Sequence, residues 1–313
     1  MQETTPTRNL LIVQTTPEQD PADWIAVKEI IERKAPDIEV RIASNGQRNS
    51  TTARWQVKRP SLVFSPVRLI EFSPLGGTVY CGHVLGKDVQ IRRLSAIGVP
   101  TPRTVVLSSL RSFDPDEWGE YVIVKPNNSN SGVGITLVRT IDLSARCDEL
   151  NAANPDQLLV EPYIDHSEDG YPASYRVLSL FGRALYCIGS RWGNQRPPLA
   201  DIAGDPHGII ASNSSEIGGR TFSLCYAAEI ISLGEESHKA FPECPVIGVD
   251  IIRDSQSGRL YVLEVNPHGA VWHLSSTLSR KLGPAIVRDL YAQFNALELA
   301  ADLLIEKTRA EAR

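Results

Sequence analysis

Two neighbouring segments decide how this sequence is interpreted: GVDIIRD at Gly248–Asp254 and RLYVLEVNP at Arg259–Pro267. Each is rich in β-branched and aliphatic residues, which favours strands. The short stretch that joins them contains two serines, a glutamine and a glycine, which is typical of a turn. The two segments therefore predict a β-hairpin.

Three polar side chains of this predicted hairpin share one face. Glu264 and Asn266 are two residues apart on one strand and so point the same way, and Asp250 on the partner strand joins them. Two carboxylates and an amide oxygen are costly to bury among apolar neighbours unless a cation compensates them. Hard oxygen ligands suit Mg²⁺. We predict a magnesium site made by these three residues; the alternative is a solvated face of the sheet.

A second polar feature interrupts the segment VIVKPNNSNSGVGITLVR at Val122–Arg139. Lys125 ends an apolar run, and the loop after it is small, polar and glycine-bearing. Backbone N–H groups of such a loop can cradle phosphate oxygens while the lysine adds a positive charge. The order differs from a P-loop, in which the lysine follows the glycines. The stretch favours a nucleotide phosphate as ligand, and an ordinary hairpin loop is the alternative.

The composition limits the classes of partner. The 313 residues contain 32 Lys and Arg against 37 Asp and Glu, so no basic excess is available for nucleic acid or an anionic membrane. The five cysteines are odd in number and widely spaced, which indicates neither a disulfide framework nor a zinc site and fits a reducing cytosol. The first residues are polar and contain no apolar signal segment. We expect a soluble, cytoplasmic protein.

The order of predicted elements divides the chain into three segments. Residues 1–100 form a small α/β unit, with strands at 9–14, 38–42 and 61–65 and helices at 22–34 and 86–97. Residues 101–164 form a mixed lobe, with strands at 103–107, 121–124, 134–138 and 157–162 and a helix at 143–151. Residues 165–313 contain strands at 175–180 and 183–191, a long loop at 192–220, a helix at 224–241, the hairpin, and one amphipathic helix at 284–309.

Taken together, these features resemble the ATP-grasp superfamily over most of the sequence from Gly86 onward. The resemblance implies a mixed α+β / α/β fold, the ATP-grasp fold with an N-terminal pre-ATP-grasp α/β domain, whose two lobes hold ATP between them. Lys87, in GKDVQIRRLSAIGVPTP, looks like the family's first phosphate-contacting lysine, and Lys125 looks like the second. Asp250, Glu264 and Asn266 match its ligands for Mg²⁺, expected as two ions with Mn²⁺ as an alternative.

The same resemblance assigns the remainder of the nucleotide site. The loop Asn128–Gly134 is similar to the family's mobile phosphate-covering loop, and LLVEPYI at Leu158–Ile164 is similar to its adenine hinge. Main-chain groups of Glu161 and Tyr163 would contact the base, with a further side-chain contact from Glu161. The residues assigned to ATP are Lys87, Lys125, Asn128, Ser129, Ser131, Gly132, Gly134, Glu161, Tyr163 and Ile164.

Other positions depart from the family pattern or lie on the substrate side. Ser174 stands where an acidic residue is common in the family, so either the ribose is held by another residue, Glu168 or Asp169, or this role is missing. The residues assigned to catalysis are Arg176 on a strand facing the cleft, Arg191 at the end of the next strand, and Asn213 in ASNSSEIGGR. The segment NPHGAVWHLSS after the hairpin contributes candidates for the carboxylate or acceptor site: His268, Gly269, Trp272, His273, Ser275 and Ser276.

The implied activity is an ATP-dependent carboxylate–amine ligase. A substrate carboxylate attacks the γ-phosphate to give an acyl phosphate and ADP, and an amine then displaces phosphate. Amino acid or peptide substrates are expected, and the arginines at 92, 93, 176, 191 and 220 hint at an anionic one. Two other functions stay open: an ATP-grasp-like kinase acting on a small molecule, and a non-catalytic nucleotide-binding regulator. The terminal helix either closes the core or forms the face of a homodimer.

Overall fold

The structure is a computed structural model, and it describes residues 5–15, 20–46, 55–56, 58–109, 113–129, 132–153, 157–203, 219–267, 272, 274–275 and 282–313. Three sheets are formed within these ranges. The helices around them are α1 (Pro21–Lys34), α2 (Lys87–Ala96), α3 (Pro115–Trp118), α4 (Thr140–Ala153), α5 (Leu199–Ile202), α6 (Ala228–His238), α7 (Pro284–Gln293) and α8 (Ala296–Glu311).

The first sheet is parallel and has the strand order β2-β1-β3-β4. Its strands are β1 (Arg8–Gln14), β2 (Ile38–Ser44), β3 (Ser61–Phe64) and β4 (Thr78–Tyr80). Helix α1 connects β1 to β2, and it begins where Asp20 accepts a hydrogen bond of 2.9 Å from the N–H of Ala22. Because all four strands are parallel, their carboxyl ends meet at one edge of the sheet.

The second sheet, which we call the lid sheet, is antiparallel and has the order β5-β8-β6-β7. Its strands are β5 (Val105–Val106), β6 (Tyr121–Pro126), β7 (Thr136–Arg139) and β8 (Leu158–Pro162). Val122 and Val124 of β6 lie in a core with Trp118. Side chains alternate along a strand, so Lys125 projects from the opposite face of the sheet.

The third sheet has the order β12-β11-β10-β13-β14, with β9 paired to β10. Its strands are β9 (Ser167–Glu168), β10 (Tyr171–Leu180), β11 (Arg183–Trp192), β12 (Arg220–Leu224), β13 (Val246–Arg253) and β14 (Leu260–Asn266). The predicted hairpin is confirmed, since β13 and β14 pair antiparallel with Asp250 opposite Glu264 and Gly248 opposite Asn266. The sheet packs α6 on one face, where Gly234 lies directly against the side chain of Val177.

The single helix predicted at 284–309 is wrong, because the chain turns between α7 and α8. Asn295 adopts the left-handed conformation, with φ 52° and ψ 54°, and ends the first helix without interrupting the apolar pattern. Helix α8 then packs against α1, with Ala300, Ala301 and Leu304 fully buried. Lys34 of α1 forms ion pairs with Glu298 and Asp302 of α8. The last helix therefore covers the first sheet.

Smaller differences concern the ends of elements. The strand predicted at 103–107 is only β5, because the chain enters a 3-10 turn at Leu107–Ser109 that buries Leu107 in the lid-sheet core. The helix predicted at 224–241 is the shorter α6, and β12 precedes it. Each sheet falls inside one of the three predicted segments, while the domain boundaries themselves stay a prediction. None of the described helices combines the length and apolar character needed to cross a membrane.

Candidate active site

Three charged side chains form a row across adjacent strands of the third sheet. Arg176 on β10 lies opposite Asp250 on β13, which lies opposite Glu264 on β14. The guanidinium of Arg176 donates to both carboxylate oxygens of Asp250, at 2.6 and 2.7 Å. Asn266 Nδ2 donates to Asp250 Oδ2 at 3.1 Å. The three predicted metal ligands therefore lie together, and a protein cation, Arg176, compensates Asp250.

The electrostatics of this row favour a further positive charge beside Glu264. Burial of the carboxyl group and the nearby charge of Asp250 raise the pKa of Glu264, and the closest lysine, Lys87, is 3.7 Å from Oε2. Burial alone would lower the pKa of Arg176, but Asp250 outweighs it and raises that pKa, so the guanidinium stays charged. Within the described chain no three His, Cys, Asp or Glu side chains cluster as metal ligands. Asp250, Glu264 and Asn266 offer two carboxylates and one amide instead.

Asn127 positions Lys87, and sequence reasoning missed it. The Asn127 Nδ2 donates to Asp88 Oδ1 at 2.8 Å, and the N–H of Asp88 donates back to Asn127 Oδ1 at 3.0 Å. The N–H of Lys87 donates to the carbonyl of Asn127 at 3.1 Å. These bonds attach the first turn of α2 to the residue that follows β6. Lys87 and Lys125 are 38 positions apart in the sequence. The bonds of Asn127 join the backbone segments that carry them.

Lys125 and Glu161 form a buried ion pair on the face of the lid sheet opposite Val122 and Val124. The Nζ–Oε1 distance is 2.7 Å, and only 6% and 5% of the two side chains are exposed. Thr104 Oγ1 donates to the same carboxylate oxygen at 2.7 Å. Neither partner of Glu161 could be read from the hinge motif, because both come from other strands or loops.

The predicted phosphate loop is described in part. Gly132 and Gly134 both have φ of 77°, a conformation that favours glycine. Lys87 Nζ donates to the main-chain carbonyl of Ser129. Asn128 lines a cavity together with Lys87 and Glu264. Ser131 lies outside the described residues.

One main-chain group of the predicted hinge is engaged within the lid sheet. The N–H of Tyr163 donates to the carbonyl of Tyr121 at 3.0 Å, so this donor is already used within the lid sheet. His166 Nδ1 lies 3.1 Å from the carbonyl oxygen of Ile164. The N–H of Ile164 has no hydrogen-bond partner among the described residues. Ile164 is therefore the available main-chain donor at the end of β8.

Two D-alanine–D-alanine ligases are similar in sequence to part of the chain. The ligase of Halorhodospira halophila (strain DSM 244 / SL1) is 29% identical over 202 residues, which are 62% of this chain and 60% of that ligase. The ligase of Ectopseudomonas mendocina (strain ymp) is 28% identical over 180 residues, which are 55% of this chain and 51% of that ligase. The matched region thus spans less than two thirds of either relative. No protein-family model matches the chain.

Several solved structures are similar over nearly the whole chain. The ATP-grasp ligase PsnB, complexed with a minimal precursor, has a TM-score of 0.57 at 15% identity, covering 97% of this chain and 100% of PsnB. The macrocyclase MdnC from Microcystis aeruginosa MRC, bound with precursor peptide MdnA, has a TM-score of 0.52 at 13% identity, covering 95% and 99%. The chain has the ATP-grasp fold. The RimK domain protein ATP-grasp from Sphaerobacter thermophilus DSM 20745 gives 0.50 at 13% identity, covering 93% and 98%.

Within this ATP-grasp fold, the structure describes only some of the residues that were predicted to lie on the substrate side. Arg191 lies at the far end of β11, 3.5 Å from Asp169 and with its guanidinium over the ring of Tyr171. The hydroxyl oxygen of Ser174, the residue that departs from the family pattern, is 2.9 Å from the hydroxyl oxygen of Ser190. Asn213 lies outside the described residues, as do His268, Gly269, His273 and Ser276. Of the two ribose candidates, Glu168 accepts a hydrogen bond from Tyr175.

A buried carboxylate that sequence reasoning missed lies in α1. Asp23, in the first turn of α1, accepts hydrogen bonds from Trp272 Nε1 and from the hydroxyl of Tyr291, both at 2.7 Å. It also accepts one from Ser275 Oγ. Asp23 thus connects Trp272, Ser275 and Tyr291 to α1. No local pattern identifies it, since its partners are about 250 residues away.

Proposed function

We propose that the protein is an ATP-dependent ligase that activates a carboxylate as an acyl phosphate and joins it to an amine, forming ADP and phosphate. The row of Arg176, Asp250 and Glu264 carries this proposal, because it places opposite charges on one sheet face beside two lysines from other elements. The similarity to two proteins named D-alanine–D-alanine ligase supports the same reaction class.

The nucleotide is assigned to the space between the lid sheet and the charged row. Lys87, Lys125 and Arg176 would contact phosphate oxygens, and the free N–H of Ile164 would contact the base. The loop with Asn128, Ser129, Ser131, Gly132 and Gly134 would cover the phosphates and limit access of water. The carboxylate of Glu161 compensates the positive charge of Lys125 within the lid sheet.

Magnesium fits the oxygen atoms of Asp250, Glu264 and Asn266. Burial and the charge of Asp250 raise the pKa of Glu264, and a cation bound beside its carboxylate would offset both effects. When bound, Mg²⁺ would neutralise charge on the phosphates. The ATP-grasp ligase PsnB has been solved with Mg and ADP. Two ions are proposed here, with Mn²⁺ as an alternative.

Catalysis would then rest on positioning and charge. Lys87, Lys125 and Arg176 provide three cations around the transferred phosphoryl group, and Arg191 and Asn213 are assigned to the substrate side. No protein nucleophile is required. Small-molecule or peptide substrates in the cytoplasm are proposed; the five cysteines, all within the described residues, are free thiols, as in a reducing compartment.

The test is turnover of the full chain with Mg-ATP and pools of amino acids and dipeptides. We expect ADP and phosphate to be released together, only when a carboxylate and an amine are both present. Mass spectrometry of the product should show the sum of the two substrates less one water. Glu264→Gln should reduce turnover by about 100-fold or more, because it removes a metal ligand and its charge.

The control is Glu229→Gln, which removes an exposed carboxylate on α6 that pairs with Arg253. It should leave turnover unchanged. A stable phosphorylated product would instead make the protein a kinase. Binding of Mg-ATP without turnover on any substrate pool would make it a nucleotide-binding regulator.

A further inference from the structure

A cavity of about 450 Å³ opens at the carboxyl edge of the first sheet. Thr15 follows β1, Asn45 follows β2, Arg68 lies beyond the end of β3, and Val84 lies beyond the end of β4; all four line the cavity. The sheet order reverses between β1 and β3, and ligands of open parallel sheets bind outside the strand ends at such a point. The cavity therefore lies at the position where a parallel sheet of this order is expected to bind a ligand.

The opposite wall of the same cavity is the candidate active site. Lys87, Glu264 and Asn266 line it, so a molecule in the cavity reaches the groups assigned to phosphoryl transfer. Among the described lining residues Glu264 is the only carboxylate, and Lys87 lies 3.7 Å from it. The wall made by the first sheet therefore has no negative charge to repel an anion.

Arg68 gives that wall a positive charge. Its side chain is exposed and makes no hydrogen bond or ion pair with another described residue. Beside it, Ile70 and Val84 line the same cavity with 58% and 66% of their surface exposed, so this wall also offers apolar surface to a ligand. An unpaired guanidinium next to exposed apolar side chains matches a ligand with an anionic group on an apolar body.

The backbone around Arg68 is held in place before any ligand binds. Asn45 Nδ2 donates to the carbonyl of Arg68 at 2.7 Å, and the N–H of Ile70 donates to Asn45 Oδ1 at 2.8 Å. The N–H of Gly82 donates to the carbonyl of Val67 at 3.1 Å. A fixed backbone reduces the entropy lost when a ligand is bound by the side chains it carries.

We propose that Arg68 is a specificity-determining residue that holds a second anionic group of the carboxylate substrate. The substrate class is a carboxylic acid with an apolar body and a further carboxylate or phosphate remote from the reacting end. This assignment rests on the proposed function for the reacting end, but the binding preference does not require turnover.

The test uses probes that differ only in the second anion: octanoate, octanedioate and 8-phosphooxyoctanoate. Their binding to the full chain is measured by calorimetry in the presence of Mg-ADP. A charged hydrogen bond to the guanidinium should make octanedioate or the phosphate probe bind about 10–100-fold tighter than octanoate, and the stronger of the two identifies the anion. Arg68→Gln should abolish this preference, and Arg68→Lys should restore part of it.

Arg8→Gln is the matched control, because Arg8 starts β1 at the opposite edge of the same sheet; it should keep the full preference. Carboxylate activation is measured separately, as hydroxamate formed with hydroxylamine and Mg-ATP. Equal binding of all three probes, or a preference that survives Arg68→Gln, would overturn the assignment of Arg68 even if hydroxamate forms. An Arg68-dependent preference without hydroxamate from any carboxylate would uphold it and reject the proposed ligase function.

Discussion

Replacing Glu161 by Gln should destabilise the protein by leaving the ammonium of Lys125 buried without a counter-charge. The two groups are 2.7 Å apart and almost completely buried, and breaking such a pair costs about 3–5 kcal/mol. Gln can still accept the hydrogen bond from Thr104, so the loss is assigned to Lys125. At roughly 2–4 °C per kcal/mol, the melting temperature should fall by roughly 6 °C or more.

Thermal unfolding followed by circular dichroism measures this effect, with Asp142→Asn as the control. Asp142 pairs with Arg139 at the end of β7 at the same 2.7 Å, but both side chains are about half exposed and solvent screens the pair, so the melting temperature should stay close to that of the wild type. Mg-ATP should restore part of the stability of the Glu161→Gln protein, since phosphate supplies a counter-charge for Lys125. Equal melting temperatures for the two variants would refute the assignment of a desolvated ion pair.

Two further predictions concern stability. Gly82→Ala should lower the free energy of unfolding, measured in urea, by about 1–3 kcal/mol. The added Cβ would lie 2.9 Å from the N atom of Arg68 and 3.0 Å from the carbonyl oxygen of Pro267. Gly76→Ala is the control and should be close to neutral, because its added Cβ would have nothing within 4 Å. Burial lowers the pKa of His238 from 6.5 to about 4, so the folded state binds the proton less well than the unfolded chain. The contribution of His238 to stability should therefore be constant above pH 6.5 and fall by about 3 kcal/mol towards pH 4. His238→Gln should remove this dependence on pH.

The hairpin and its three polar residues could be predicted because they depend on local order. The two-residue period of a strand places Glu264 and Asn266 on one face, and a short turn sets the pairing with Asp250. The sequence pattern alone also indicated the cation requirement of this face. It did not show that Arg176, 74 residues earlier, supplies part of that charge.

The residues that were missed act across long separations or through backbone geometry. Asn127 joins α2 to the lid sheet, and Asp23 joins α1 to residues about 250 positions later, so neither leaves a periodic signal. Arg68 follows a strand end with no motif, and its significance comes from the cavity. The turn at Asn295 leaves the apolar stripe continuous, so a single helix was the natural prediction. Asn213 and Ser131 stay predictions, because they lie outside the described residues.

The central claim is that the substrate carboxylate itself attacks ATP. The direct measurement uses the carboxylate identified by the substrate screen, labelled with ¹⁸O in its carboxyl group, together with Mg-ATP and the amine. Mass spectrometry of the released phosphate should show one ¹⁸O atom per turnover, transferred when the amine displaces the phosphate. Phosphate without ¹⁸O, whose fourth oxygen comes from water, would contradict attack by the carboxylate.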